Sequence, residues 1–153
     1  MGLLDCASGA SVWRGYDYYK EKKVMNLIET DSGIFTADVI GTASEPYTVE
    51  INIEHPKRSR CNCPHADGRR IICKHMTAVY FAAYPKEAER VYNEAIAYEK
   101  EQEKRVEEIS RRVVSCVNSM KKDELRKELL YLLYSCPDWL YDKFVRGHGL
   151  DEF

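Results

Sequence analysis

Cys61, Cys63, Cys73 and His75 are the residues of this chain whose types and spacing can do chemistry together. They stand as Cys61-x-Cys63 and Cys73-x-His75, separated by the loop from Pro64 to Ile72. Three soft thiolates and one imidazole are a donor set that suits Zn²⁺, and four protein ligands complete its tetrahedron. A closed site keeps no position for a substrate or an activated water, so the pattern predicts one structural zinc ion per chain. Six cysteines could instead form a disulfide framework, but no export signal accompanies them, which disfavours that use. Cys6, Cys116 and Cys136 read as small buried or tail residues.

The ligand spacing dictates the elements that must hold them. Residues i and i+2 of an extended strand point to one side, so Cys61 and Cys63 are expected on a short strand. On a helix i and i+2 diverge, which places Cys73 just before a helix and His75 in its first turn. The run from His75 to Tyr84 suits that helix, and Pro85 would end it. Upstream, Val24, Leu27 and Ile28 predict one strand, and Asp31-Ser-Gly33 a turn. Ile34 to Ile40 alternates around Phe35, Ala37 and Val39, and after a turn over Gly41 to Pro46 the next strand presents Tyr47, Val49, Ile51 and Ile53 on one face. Val12 to Lys22 predicts a short helix whose stripe of Trp13, Tyr16 and Tyr19 reads as core, with a base-stacking surface as the alternative.

The region after Pro85 is helical. Lys86 to Met120 contains no proline or glycine and carries the stripe Val106, Ile109, Val113, Val117 and Met120. The polar segment Glu99 to Arg105 interrupts that periodicity, so the stripe packs on its own chain or forms a dimer seam. Asp123 to Tyr134 is a second helix with Leu125, Leu129, Leu132 and Leu133, and Pro137 opens a third holding Trp139, Leu140 and Phe144. The short turn at Lys121 and Lys122 predicts an antiparallel hairpin, Leu129 against Val113 and Leu133 against Ile109. The expected fold class is α+β: a small antiparallel β-meander with a zinc-stapled strand and helix, then a C-terminal α-helical hairpin region. Residues 1–85 and 86–153 form its two parts, with the finger core at about 47–84. A monomer is favoured, with a dimer as the alternative.

The segment CNCPHADGRRIICKHMTAVYFA resembles a SWIM-type zinc finger, in which Cys-x-Cys, a variable loop, Cys-x-His and a helix follow in that order. The resemblance extends to Arg14-Gly-Tyr-Asp-Tyr-Tyr19, Val24 and Glu45-Pro-Tyr47-Thr-Val49, which recur in similar form in bacterial members. It reaches more weakly the Leu-rich stretch from Asp123 to Leu133. Lys23 departs from the pattern, where such sequences often have glycine, and this bears on the turn type there. The resemblance implies four ligands and leaves out His65, which then reads as a loop histidine after Pro64. It also implies partners of two kinds, DNA and protein, without choosing between them.

Charge supplies the remaining functional clue. Lys57, Arg58, Arg60, Arg69, Arg70 and Lys74 stand against Asp67 alone around the finger, in a chain of net charge −2. Two explanations stand side by side. Cations beside the sulfurs, Lys74 and Arg60 above all, would favour the thiolates. Lys57, Arg58, Arg69 and Arg70, farther out, would contact phosphates. No phosphate-binding Gly-rich loop and no Gly-x-Ser-x-Gly elbow occurs, His55 and His148 have no recognisable partners, and the acidic residues lie in helical charge runs, so no enzymatic activity is expected. No apolar run reaches membrane-spanning length. The start lacks a basic flank with an apolar stretch, and Cys6 stands where a myristoylation motif needs Ser or Thr, so a cytoplasmic location is expected. The reading is a zinc-binding module acting as a nucleic-acid-binding accessory protein. The alternative is a protein–protein interaction adaptor whose zinc is purely structural and which makes no nucleic-acid contact.

Overall fold

Ser8 caps the first helix. In the computed structural model of the protein, which describes residues 2–151, its side chain accepts the backbone N–H of Ser11 at 3.2 Å. That bond satisfies one of the amides a helix start leaves unpaired. Helix α1 (Gly9–Lys20) therefore begins ahead of Val12, because the cap and not the aromatic stripe sets its start. It ends in a left-handed cap. Lys22 has φ 54°, its N–H bonds to the Tyr19 carbonyl, and Lys23 N–H bonds to that of Tyr18, both at 3.0 Å. The position that would favour glycine is thus Lys22, one residue before Lys23.

The meander follows as β1 (Val24–Asp31), β2 (Ile34–Val39), β3 (Tyr47–Asn52) and β4 (Arg60–Cys61). They form one antiparallel sheet in that order. Phe35, Ala37, Val39, Tyr47, Val49 and Ile51 all point into the core, as their alternation predicts, with Ala37 opposite Val49 and Phe35 opposite Ile51. In β1 the register shifts between Met25 and Ile28. Asn26 sits there at φ 52° and donates from Nδ2 to Asp38 Oδ2 at 2.8 Å, a bulge that spoils simple alternation on this edge strand.

Helix α2 (Lys74–Ala83) packs on the sheet and on α1. Met76, Thr77, Ala78, Val79 and Phe81 are all buried. The helices meet where Gly15 faces Thr77: a Cβ on Gly15 would stand 1.8 Å from Thr77 Oγ1. That hydroxyl donates to the Ser11 carbonyl at 2.8 Å, with the Lys74 carbonyl at 2.9 Å. Pro85 ends α2 and opens α3 (Pro85–Ser119). The break in secondary structure at Pro85 is not where the first compact unit stops, since that unit is Met1–Ala97. Ala88 is buried with Tyr16 and Phe81, and Tyr92 stacks on Tyr16 with centroids 5.3 Å apart.

The second unit, Tyr98–Phe153, holds the rest of α3 with α4 (Lys122–Ser135) and α5 (Asp138–Gly147). Glu124 accepts the Lys121 N–H at 2.8 Å and so closes the start of α4. The expected packing of Leu129 on Val113 is not formed: Val113 is 55% and Leu129 49% exposed. Instead α4 packs on α5, with Tyr134 and Tyr141 stacked at 6.5 Å. Helix α5, tied to α4 by Cys136-Pro137, sets Leu140 and Phe144 across an open apolar groove from Leu129, Leu132 and Leu133. Among the described residues of this unit none is fully buried. No helix of the described chain is long and apolar enough to cross a membrane.

Candidate metal centre and the adjoining basic groove

Each ligand comes from a different local device. Cys61 ends β4, opposite Val49 of β3. Cys63 does not share that strand, contrary to expectation. Asn62 keeps the last ties to β3, accepting the Thr48 N–H on Oδ1 at 3.0 Å and donating its own N–H to the Thr48 carbonyl at 3.4 Å. The chain then turns, and the Cys63 carbonyl accepts the N–H groups of Ala66 and Asp67 at 3.0 and 2.9 Å. Pro64 cannot donate to a ladder, so the strand stops before it. Cys73 is the N-cap residue of α2 and His75 lies in the first turn, as the spacing predicted. A bridge between Ala7 and Ile72 secures the end of the intervening loop.

All four side chains are buried, and their donor atoms lie within 4.8 Å of one another. His75 Nδ1 is 3.6 Å from Cys61 Sγ and 4.0 Å from Cys73 Sγ. Donors of a tetrahedral zinc site, at about 2.3 Å for sulfur and 2.0 Å for nitrogen, stand about 3.5–3.8 Å apart. The cluster therefore fits one structural zinc, with Nδ1 as the nitrogen donor. The far nitrogen, Nε2, is buried without a hydrogen-bond partner. Ring packing orients the imidazole: Tyr47 stacks on it at 4.5 Å and Tyr18 meets it edge-on at 5.4 Å. Gly41 leaves room for this, since a Cβ there would stand 2.3 Å from the Tyr47 ring and 3.4 Å from Nε2.

The thiols are electrostatically coupled. The Cys61 thiol donates to Cys73 and holds it well below the usual thiol range, helped by the His75 ring and the Met76 and His75 amides against the opposing effect of burial. The same shared proton, then burial, pushes Cys61 up. An apolar core does not hold several thiolates unaided, and a divalent cation supplies the compensation. The neighbouring Cys61 thiol acts most strongly on Cys73, and the helix-start amides add to it. Lys74 lies over the Tyr18 ring at 4.5 Å, and Arg60 faces the groove described below. His65 is exposed and outside the cluster. All six cysteines are free: Cys6 packs against the core, Cys116 is exposed and Cys136 half-buried.

A buried Cys3His cluster that ties a sheet edge to a helix start defines a zinc-stabilised α+β module. The model of the SWIM zinc finger family matches residues 47–84, from the first residue of β3 to the C-cap of α2, and that segment is a SWIM-type finger. Comparisons with curated proteins and with solved structures gave no match.

Beside the metal centre lies a groove of about 1120 Å³. Lys57 and Arg58, on a single 3-10 turn (Pro56–Arg58), and Arg69 and Arg70, in the loop between the ligand pairs, all line it. The structure so brings together four residues that the sequence placed in two separate loops. Arg60 joins them, and Thr48, Glu50 and Asn52 contribute from β3. Sequence reasoning missed these β3 residues; the signal was the outward half of the strand's alternation. Glu50 lies opposite Arg60 across the strand pair. Among the described residues no ion pair engages Lys57, Arg58, Arg60, Arg69 or Arg70, whereas Arg90, Arg111, Arg112 and Arg126 are each paired within their helices.

Proposed function

We propose that the protein is a non-catalytic nucleic-acid-binding accessory protein, in which structural zinc shapes a finger that offers the basic groove to phosphates. The observation that carries this reading is the convergence of Lys57, Arg58, Arg60, Arg69 and Arg70 on one groove without ion-pair partners. Elsewhere Arg90, Arg111, Arg112 and Arg126 are each neutralised within their helices. Five cations against Glu50 and Asp67 leave the groove with a net positive charge, whose repulsion an anionic ligand would offset. The protein would act in the cytoplasm, where thiols stay reduced and able to hold zinc. Titration of the zinc-loaded protein with DNA should show affinity falling steeply with salt, with a log–log slope of about −0.9 per phosphate contact on duplex DNA. Replacing Arg69 and Arg70 by Gln should flatten that slope and weaken all sequences alike, because phosphate contacts carry no sequence information. Zinc content should stay at one per chain. Failure to bind any nucleic acid at low salt refutes the reading.

A second reading has its own support. Val106, Ile109, Val113 and Val117 are exposed along α3, and an apolar stripe of this length suits a protein partner. On this reading the protein is an adaptor and its zinc purely structural.

A further inference from the structure

We infer that the basic groove takes the backbone of duplex nucleic acid and not an unpaired strand; this rests on the nucleic-acid reading above. Proteins that hold single strands stack successive bases on aromatic side chains, and much of their affinity comes from that stacking. Among the described residues lining the groove none is aromatic. The aromatics of the finger and its neighbours are committed elsewhere: Tyr47 stacks on His75, Tyr18 lies against it, Phe35 meets Tyr84, and Tyr80 packs against Phe81 and Tyr84. An unpaired strand would therefore gain only charge from this surface.

A duplex offers what the groove is made to use. It carries about one negative charge per 1.7 Å of axis, denser than an unpaired strand, and each phosphate neutralised releases more counterion. The cations come from two separate segments, Lys57-Arg58 and Arg69-Arg70, with Arg60 on the strand between them in sequence. Two carboxylates, Glu50 from β3 and Asp67 from the loop, also line the groove and disfavour phosphates beside them, leaving Lys57, Arg58, Arg69 and Arg70 as the contacts. Arg60 and the Arg69-Arg70 segment adjoin the metal centre: Arg60 precedes the ligand Cys61, and Arg69 and Arg70 lie in the loop bounded by Cys63 and Cys73. The spacing of these cations is thus held by the zinc-stapled sheet, which suits a stiff double helix better than a flexible strand.

The test uses the full zinc-loaded chain with a mixed-sequence DNA duplex and an RNA duplex, each compared with its own separated strands at low salt. At least one duplex should bind about tenfold more tightly than its strands. Lys57→Gln with Arg58→Gln, and separately Arg69→Gln with Arg70→Gln, should each lower duplex affinity and flatten its salt dependence while zinc content and circular dichroism stay unchanged. Strands bound within about threefold of their duplexes, or more tightly, overturn the inference and leave the nucleic-acid reading standing. No binding to any of the four probes overturns both.

Discussion

His75 shows how much rests on single residues here. Its Nδ1 faces two sulfurs, its Nε2 has no partner, and two tyrosine rings hold its plane. Removing a ligand should therefore cost most of the metal-derived stability, on the order of 10 kcal/mol of apparent binding free energy for structural zinc. His75→Ala and Cys63→Ser should lose zinc by elemental analysis and melt the finger, whereas His65→Ala should keep one zinc per chain. Full occupancy in Cys63→Ser would contradict the ligand set. Acid should release the metal in the wild type, because protons compete with zinc for each thiolate. Gly41 makes a subtler test. A methyl at this position would overlap the Tyr47 ring, so Gly41→Ala should destabilise the finger by about 1–3 kcal/mol. Competition with a chromophoric chelator should show weakened zinc binding, as Tyr47 is displaced against His75. Unchanged affinity would mean that the stacked ring does not position the ligand.

Among elements, the contact of α1 with α2 is set by a glycine rather than by the aromatic stripe. Gly15 allows backbone approach to Thr77, whose hydroxyl reaches across to the Ser11 carbonyl. Gly15→Ala should force the helices apart and cost about 1–3 kcal/mol in thermal or denaturant unfolding. The same substitution at Gly9, where a Cβ meets nothing within 4 Å, should be neutral or stabilising by up to about 1 kcal/mol, since alanine is the better helix former. Equal effects at the two sites would show that helix propensity and not packing decides. Trp13, Tyr16 and Tyr19 divide in the same light. Tyr16 is core, packed on Phe81 and Tyr92, while Trp13 remains exposed.

At the scale of the molecule, the two units differ in kind. Residues 1–97 contain the buried core and the metal centre. They should fold and bind one zinc when produced alone, with a cooperative thermal transition that chelation lowers. Residues from Tyr98 onward have no fully buried side chain among those described. Val113→Asp should therefore change stability by no more than about 0.5 kcal/mol, as is usual at open surface sites, and leave zinc content intact. The sequence alone predicts the opposite, unfolding of the helical region, because it assumes that α4 covers the stripe. Sedimentation separates the cases: a wild-type dimer turned into a folded monomer by Val113→Asp would show that a second copy covers α3.

Local spacing was enough to recognise the ligands, the helix that begins after Cys73, the inward faces of β2 and β3, and the break at Pro85. Each depends on neighbours two to four residues apart, whose geometry is nearly the same in any fold. Tertiary structure alone decided the rest. Cys63 left the strand because the turn after Pro64 claimed its carbonyl. Leu129 faces an open groove shared with Leu140 and Phe144 of α5 instead of Val113. Lys57, Arg58, Arg69 and Arg70 became one surface only when β3 and β4 paired and the metal-binding loop folded beside them. Long-range meetings of this kind are settled by competition among faces for the same partner, and a pattern read along the chain carries no information about which competitor wins.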